Sequence, residues 1–176
     1  MLKHNNIHLV LMEKKHIINK VQWVNDPEVR NTMFFDNISE VGTSKWLDQV
    51  SVDPTREDYI VLESERETPI GFASVVNIDY KNSKAETYIC IGEKSYWGMG
   101  YGTDVKRILM RHVFKNLALN KLYSFNWAEN EGMVYINQKL GFTKEGVLRS
   151  DRLANGEWKD RVLFSMLKSE YDNLNN

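Results

Sequence analysis

The chain has 176 residues, of which 42% are hydrophobic and 11% aromatic, enough for one sizeable core but hardly for two. Its formal net charge of −1, from 23 basic and 24 acidic residues, gives no electrostatic reason for nucleic acid or an anionic membrane to be an obligatory partner. We therefore expect a single domain over residues 1–176.

Cys90 is the only cysteine, so no internal disulfide can form, and no N-terminal apolar segment is long enough for export or for crossing a membrane. We expect a cytoplasmic protein. A nucleophilic cysteine would need an activating histidine, and no motif connects His4, His8, His16 or His112 to Cys90. We interpret Cys90 as a small buried strand residue and His112 as a structural residue of a helix.

The first half of the chain predicts a strand, three helices and a meander of strands. Residues 7–12 alternate in polarity as a strand does. Asp26 is suited to cap a helix that begins at Pro27. The predicted helices are 15–23, 27–33 and 43–50. The predicted strands of the meander are 59–62, 70–79 and 85–91, the last two joined by a turn at 81–84.

The second half predicts alternating helices and strands and a closing hairpin. A helix at 103–117 is followed by a strand at 122–127 and a helix at 132–140. Two final strands flank Asn155-Gly156, a dipeptide that between apolar runs is the strongest short hairpin signal. We therefore predict an α+β fold, with a mixed, mostly antiparallel sheet of about seven strands and helices on both faces.

A glycine-rich segment runs from Tyr96 to Thr103, between a predicted strand and a predicted helix. Gly98, Gly100 and Gly102 alternate along it, and glycines let an anion approach the backbone. The free N–H groups and the positive dipole end of the helix point at such an anion, so the loop suits a pyrophosphate. It lacks the Gly-Lys-Ser/Thr of a Walker A loop and the spacing of a dinucleotide fingerprint. A glycine-rich turn without a ligand is the alternative.

Three motifs in this order resemble the GNAT superfamily of N-acetyltransferases. The frame Trp97-x-x-Gly100-x-Gly102 resembles its acyl-CoA loop, with Trp97 in place of the usual Gln or Arg. The segment from Asn130 to Phe142 resembles its second signature, a helix that opens with Asn and runs into Lys-x-Gly-Phe. The segment 145–160 resembles the closing hairpin of the branch that contains ribosomal-protein N-terminal, polyamine and amino-sugar acetyltransferases. The resemblance is firm over residues 69–171.

The resemblance implies acetyl-CoA as a co-substrate and no metal. The fourth and fifth predicted strands would splay into a V-shaped cleft for the pantetheine arm, whose amides would bond the backbone near Cys90 and Ile91. Asn130 would hold the arm from the other side, or would only cap its helix. The pyrophosphate would be bound by the loop after Trp97, which consists of Gly98, Met99, Gly100, Tyr101, Gly102 and Thr103.

The chemistry implied by the family is attack of a neutral amine on a thioester. Many members protonate the departing thiolate with a tyrosine seven residues after the signature Asn, and here that position is Asn137. Asn137 can donate a hydrogen bond to the cofactor but cannot deliver a proton. Tyr135 is a poor substitute, because two residues along a helix face it away. Water would then protonate the thiolate, and Asn137→Ala should reduce the rate only modestly.

Glu86 is the candidate catalytic base, because the family often keeps a carboxylate at the start of this strand. It would act directly or through water. Tyr88 and Cys90 share its face by strand alternation. The alternative is a carboxylate that bonds neighbouring loops, or a substrate ammonium, without proton transfer.

The acceptor is expected to contact Trp23, Met33, Phe34, Glu86 and Tyr88, although local aromatic clusters are more often core than pocket. The resemblance leaves three acceptors open: a polyamine, a nucleotide-linked amino sugar and a peptide N-terminus. A homodimer is compatible with the sequence. A catalytically weak or inactive acyl-CoA sensor or assembly module is the alternative function, because the usual acid is missing at Asn137.

Overall fold

Eight strands form one sheet, and the computed structural model describes residues 2–174 of the chain. The strands are β1 (Leu2–His4), β2 (Ile7–Leu11), β3 (Glu57–Glu63), β4 (Thr68–Asp79), β5 (Lys84–Ile91), β6 (Lys121–Trp127), β7 (Thr143–Ala154) and β8 (Glu157–Leu167). Their order is β1-β2-β3-β4-β5-β6-β8-β7, and neighbouring strands are antiparallel except β5 and β6, which are parallel.

Helices cover both faces of this sheet. They are α1 (Ile17–Asn25), α2 (Pro27–Arg30), α3 (Glu40–Val50), α4 (Tyr101–Arg111), α5 (Glu131–Lys139) and α6 (Lys168–Leu174). Short 3₁₀ turns occupy Lys14–His16 and Lys94–Tyr96, and α4 continues as a π-helical segment at His112–Asn116. The prediction of an α+β fold with a mostly antiparallel sheet and helices on both faces is confirmed.

Local sequence signals explain several element boundaries. The Asp26 side chain accepts hydrogen bonds from the N–H groups of Glu28 (2.9 Å) and Val29 (3.3 Å), so it caps α2 as predicted. Asn155 and Gly156 have φ angles of 52° and 82°. Two positive φ angles are what a tight hairpin turn requires, and the β7–β8 hairpin is confirmed.

Two elements were not predicted, β1 and α6. β1 has three residues and α6 has seven, too few for either to show a clear periodicity. Both are held by tertiary contacts: β1 pairs with β2, and Tyr171 of α6 packs on Phe114 with ring centres 4.9 Å apart. Because β1 adds one strand before the first predicted strand, the fourth and fifth predicted strands, between which the splay was expected, are β5 and β6.

The core consists of two clusters, one on each face of the sheet. α1 to α3 cover one face, where buried side chains include Trp23, Val24, Val29, Leu47, Ile60 and Phe72. α4 and α6 cover the other face, where buried side chains include Val105, Ile108, Leu109, Phe114, Phe164 and Tyr171. The sheet is therefore packed from both sides, as the middle layer of the domain.

The central pair β5 and β6 separates after a short ladder. Its registered pairs are Lys84 with Lys121, Ala85 with Leu122, and Glu86 with Tyr123. Both strands continue beyond these pairs, to Ile91 and Trp127, without further pairing to each other among the described residues. The predicted V-shaped splay is thus present, and Glu86 lies at its vertex.

Candidate active site

A buried lysine from α4 lies at the vertex of the V. Thr87 and Ser124 follow the last registered pair of β5 and β6, and Nζ of Lys106 lies 3.1 Å from Thr87 Oγ1 and 3.2 Å from Ser124 Oγ. Lys106 is fully buried, and its Nζ is 4.5 Å from the centre of the Phe142 ring. Burial lowers the pKa of Lys106 to about 7, and the charge of Glu86 opposes that shift. The two strands are therefore bridged by an amine where they part.

The glycine loop lies beyond the other end of β5 and leads into α4. Gly98 and Gly100 have φ angles of 75° and 90°, and a Cβ added to either would meet no atom within 4 Å. The carbonyl of Gly100 accepts from the N–H groups of Thr103 (2.9 Å) and Asp104 (3.1 Å). The earlier N–H groups of α4 belong to its first turn and have no intrahelical acceptor. The backbone of the loop is thus accessible, and binding of an anion there stays a prediction.

The Trp97 side chain attaches this loop to β5. Its Nε1 donates a 2.7 Å hydrogen bond to the carbonyl oxygen of Ile91, and its ring packs at the edge of the α1–α3 cluster. Contact between Trp97 and the cofactor stays a prediction, and the single polar atom of the side chain is engaged in this internal bond. The Ile91 carbonyl retains a second lone pair for another donor.

Cys90 and His112 are both buried, as expected for the structural roles inferred from the sequence. Cys90 is buried beside Phe72, and burial raises the pKa of its thiol, which disfavours a nucleophilic thiolate. Nε2 of His112 lies 2.6 Å from Glu57 Oε2, on the face of the sheet opposite Cys90.

A cavity of 820 Å³ opens beside the vertex, on the face covered by α1 and α3. Four of the five residues predicted to contact the acceptor line it: Met33, Phe34, Glu86 and Tyr88. Phe34 packs edge-on against Trp127 with ring centres 4.4 Å apart, and Nε1 of Trp127 donates to the Met33 carbonyl at 2.8 Å. These contacts hold the segment after α2 against β6 and form one wall of the cavity.

The prediction that Trp23 contacts the acceptor is wrong for this structure. Trp23 is only 4% exposed and stacks on Phe72, and its Nε1 donates to Glu93 Oε1 at 2.7 Å. A Cβ on Gly92 would come within 2.1 Å of the indole. Trp23 is therefore enclosed in the core, because Gly92 leaves room for the ring directly against the end of β5.

Glu86 occupies a partly desolvated position in the cavity wall. Burial raises its pKa, while a 2.9 Å hydrogen bond from Asn77 Nδ2 and the charges of Arg161, Lys106 and Arg152 oppose that rise. A carboxylate with a raised pKa is a stronger base than an exposed one. The geometry therefore suits either alternative for Glu86, proton acceptor or partner of an ammonium group.

Asn130 is the N-cap of α5. Its Oδ1 accepts from the N–H of Met133 at 3.1 Å, and its Nδ2 donates to the carbonyl of Thr32 at 3.1 Å. The side chain thus serves the capping role weighed for it and ties α5 to the acceptor wall. Contact with the pantetheine arm stays a prediction.

Asn137 lies behind the cavity wall. It is fully buried, and its Nδ2 donates to Oδ1 of Asn126 at 2.8 Å, while Asn126 itself lines the cavity. Asn137 Oδ1 has no hydrogen-bond partner within the described part of the chain. Direct contact between Asn137 and a cofactor therefore requires the side chains to move. Tyr135 is 60% exposed, so it faces away as expected.

Several polar residues that line the cavity were not predicted from the sequence, among them Lys20, Arg56, Asn77, Arg152 and Arg161. Lys20 belongs to α1, Arg56 directly precedes β3 and Asn77 belongs to β4, while the other two lie on the β7–β8 hairpin. These elements are distant in sequence. Arg152 and Arg161 fall within or beside the hairpin motif, the one local signal that could have drawn attention to them.

Residues 2–174 include no group of three or more His, Cys, Asp or Glu side chains placed to hold a metal ion. In the same part of the chain, every helix is too short or too polar to cross a membrane.

Comparison with known proteins identifies the family. A model of the acetyltransferase (GNAT) domain matches residues 6–143. The chain is 28% identical over 154 residues to an uncharacterized N-acetyltransferase, p20, of Bacillus licheniformis, covering 85% of this chain and 86% of that protein. It is 31% identical over 115 residues to spermidine N(1)-acetyltransferase of Escherichia coli K12, covering 65% and 61%.

Solved structures agree with the fold. Spermidine N-acetyltransferase from Vibrio cholerae, in complex with CoA and spermine, matches with a TM-score of 0.90 and 22% identity over 97% of this chain and 100% of that chain. The chain therefore belongs to the GNAT family of acetyl-CoA-dependent N-acetyltransferases.

Proposed function

We propose that the protein transfers the acetyl group of acetyl-CoA to a primary amine, on a small molecule or at a peptide N-terminus, by direct attack of the amine on the thioester. The observation that carries this proposal is the cleft between β5 and β6, which opens at Glu86, in the cavity wall, and follows β5 towards the end from which the glycine loop begins. Residues 86–91 span about 17 Å of extended strand. The cleft thus separates a site for phosphate from a site for the amine.

The residues present fit the co-substrate. The edge of β5 beyond Glu86 has main-chain groups without a β6 partner, and the amides of a pantetheine arm would supply partners near Cys90 and Ile91. The N–H groups of the glycine loop, residues 98–103, would bind the pyrophosphate. When bound, acetyl-CoA supplies an acetyl thioester, whose thiol has a pKa of roughly 8.5 and leaves readily near neutral pH.

Glu86 accepts a proton from the acceptor ammonium, directly or through water, and its raised pKa supports this role. Asn137 cannot protonate the departing thiolate, so water does. Asn137 instead orients Asn126 in the cavity wall.

Thermal-shift measurements with acetyl-CoA, CoA, ATP and NAD test the binding half of this proposal, and release of free thiol with panels of polyamines, amino sugars, amino acids and peptides tests the chemistry. We expect acetyl-CoA and CoA to stabilise the protein more than ATP or NAD, and thiol release to require an amine. Equal stabilisation by all four nucleotides would contradict the proposal.

The second candidate is a catalytically inactive acyl-CoA sensor, which the absence of a proton donor at Asn137 favours. Such a protein would be stabilised by acetyl-CoA but would release no thiol with any amine. The same two measurements therefore separate the candidates.

A further inference from the structure

Among the charged side chains that line the cavity beside Glu86, cations outnumber acids. Four lysine and arginine side chains line it, whereas Glu86 is the only carboxylate among its lining residues. The cations are Lys20, Arg56, Arg152 and Arg161. A cavity that receives a polycation would be expected to show the opposite balance.

Two of these cations are paired with carboxylates that do not line the cavity. Arg56 makes two bonds to Asp58, at 2.7 and 2.8 Å, and Arg161 Nε bonds Asp151. A guanidinium has five N–H donors, so each arginine keeps donors for a further acceptor. The pairing positions both arginines, and it leaves their outer N–H groups available to a ligand.

The other two cations are held without a paired carboxylate among the described contacts. Nζ of Lys20 lies 3.5 Å from the centre of the Trp46 ring, and Asp58 acts on it only as a nearby charge. Nη1 of Arg152 donates to the carbonyl oxygen of Phe34 at 3.4 Å, and Cζ of Arg152 lies 5.6 Å from the centre of the Phe34 ring. Aromatic rings and main chain thus hold these charges without neutralising them.

An excess of positive charge disfavours the binding of a polyamine in this cavity. One ammonium group could pair with Glu86, but the next would meet cations, and like charges repel strongly in a partly desolvated cavity. The phosphates of the co-substrate do not account for the cations, since the glycine loop follows β5 at the end opposite Glu86.

We infer that the acceptor is a primary amine whose molecule also carries an oxyanion, a carboxylate or a phosphate, bound by Arg152 and Arg161 while the amine lies at Glu86. This inference rests on the proposed acetyl transfer and specifies its acceptor. Arginine suits the role because its planar fork binds two oxygens of one anion. Both arginines are close enough to Glu86 for their charges to favour its ionised form. An oxyanion bound by them would therefore lie near the reacting amine.

Matched acceptors test this inference by thiol release. L-Lysine and cadaverine differ by one carboxylate, and glucosamine 6-phosphate and glucosamine differ by one phosphate. We expect the anionic member of at least one pair to have a kcat/KM about tenfold or more above its partner and above spermidine, as charge-assisted hydrogen bonds provide. The pair that responds identifies the oxyanion as carboxylate or phosphate.

Variants of two arginines on β7 assign the effect to the cavity. Arg152→Gln should raise KM for the preferred anionic acceptor about tenfold and reduce its advantage over the partner that lacks the oxyanion. Arg149→Gln removes an exposed arginine of the same strand that does not line the cavity and should leave the advantage intact. Unchanged acetyl-CoA affinity in both variants verifies folding.

A kcat/KM for spermidine, cadaverine or glucosamine that equals or exceeds that of every anionic acceptor would overturn the inference and leave acetyl transfer standing. No thiol release with any amine, in a protein that binds acetyl-CoA, would instead overturn the proposed function and this inference with it.

Discussion

The indole N–H of Trp97 donates to the carbonyl oxygen of Ile91 across 2.7 Å, and this bond fixes the start of the glycine loop against the last residue of β5. The family pattern has Gln or Arg where this chain has Trp97. The substitution exchanges a flexible polar side chain for a rigid one with a single donor. Trp97 thereby positions the backbone of the glycine loop without contributing a charge.

Trp97→Phe should weaken acetyl-CoA binding. It removes one hydrogen bond, about 0.5–1.5 kcal/mol, and loosens the loop, so Kd should rise about two- to tenfold. Isothermal titration with acetyl-CoA measures this. Trp158→Phe, at a position 65% exposed on the hairpin, is the matched control and should bind normally. Equal affinity in the wild type and Trp97→Phe would show that the bond does not position the loop.

Gly100→Ala should lower both stability and acetyl-CoA affinity. Gly100 has φ of 90° and no atom within 4 Å of an added Cβ, so the cost is backbone strain alone, about 1 kcal/mol in urea unfolding. Gly146→Ala is the control, because its Cβ would also meet nothing and its backbone is not left-handed. If both variants unfold at the same urea concentration, the left-handed conformation is not needed.

The sequence allowed the elements with local signals to be predicted. Asp26 before Pro27, Asn155-Gly156, and the alternate glycines before α4 each act within a few residues, so their outcome depends little on the rest of the chain. The family resemblance supplied the splay at Glu86.

The acceptor cavity depended on contacts between distant segments. Lys20 and Arg152 are 132 positions apart in the numbering and meet only because α1 and the hairpin flank the same opening. Trp23 was misassigned for the same reason: aromatic residues of an amphipathic helix are found both in cores and in pockets, more often in cores, and the space left by Gly92 after β5 places this one in the core.

Asn137→Ala should reduce kcat only a few-fold and leave acetyl-CoA affinity unchanged. The amide carries no transferable proton, and its single bond, to Asn126, positions a wall residue. Steady-state thiol release and titration with acetyl-CoA provide both values. Loss of turnover with normal cofactor affinity would show that Asn137 takes a direct part in the reaction.

Glu86→Gln should lower kcat by about 10²- to 10⁴-fold and remove the acid limb of the pH–rate profile, because the base must be ionised. Asn77→Gly removes the 2.9 Å hydrogen bond that favours the carboxylate, so it should shift the acid limb to higher pH. Glycine is the suitable replacement since Asn77 has a φ of 51°. Unchanged turnover of Glu86→Gln across pH would remove Glu86 from the mechanism.

Lys106, at the vertex of the V, makes the stability of the fold depend on pH. Burial lowers its pKa in the folded protein to about 7, against 10.5 ordinarily, so the unfolded chain binds this proton over a range in which the folded protein releases it. Stability therefore rises with pH between about 7 and 10. Lys20, with a pKa lowered to about 8, contributes in the upper part of that range.

Lys106→Met should therefore flatten the dependence of stability on pH. Methionine matches the length and removes the titrating amine, so the rise in the free energy of unfolding between pH 7 and pH 9 should be smaller by about 1 kcal/mol per pH unit. Urea unfolding at the two pH values measures it, with Lys144→Met, an exposed lysine of β7, as the control that keeps the wild-type slope. The contribution of Lys20 remains in every variant, so a residual slope is expected. A wild-type slope in Lys106→Met would mean that the amine between Thr87 and Ser124 does not change its protonation on folding.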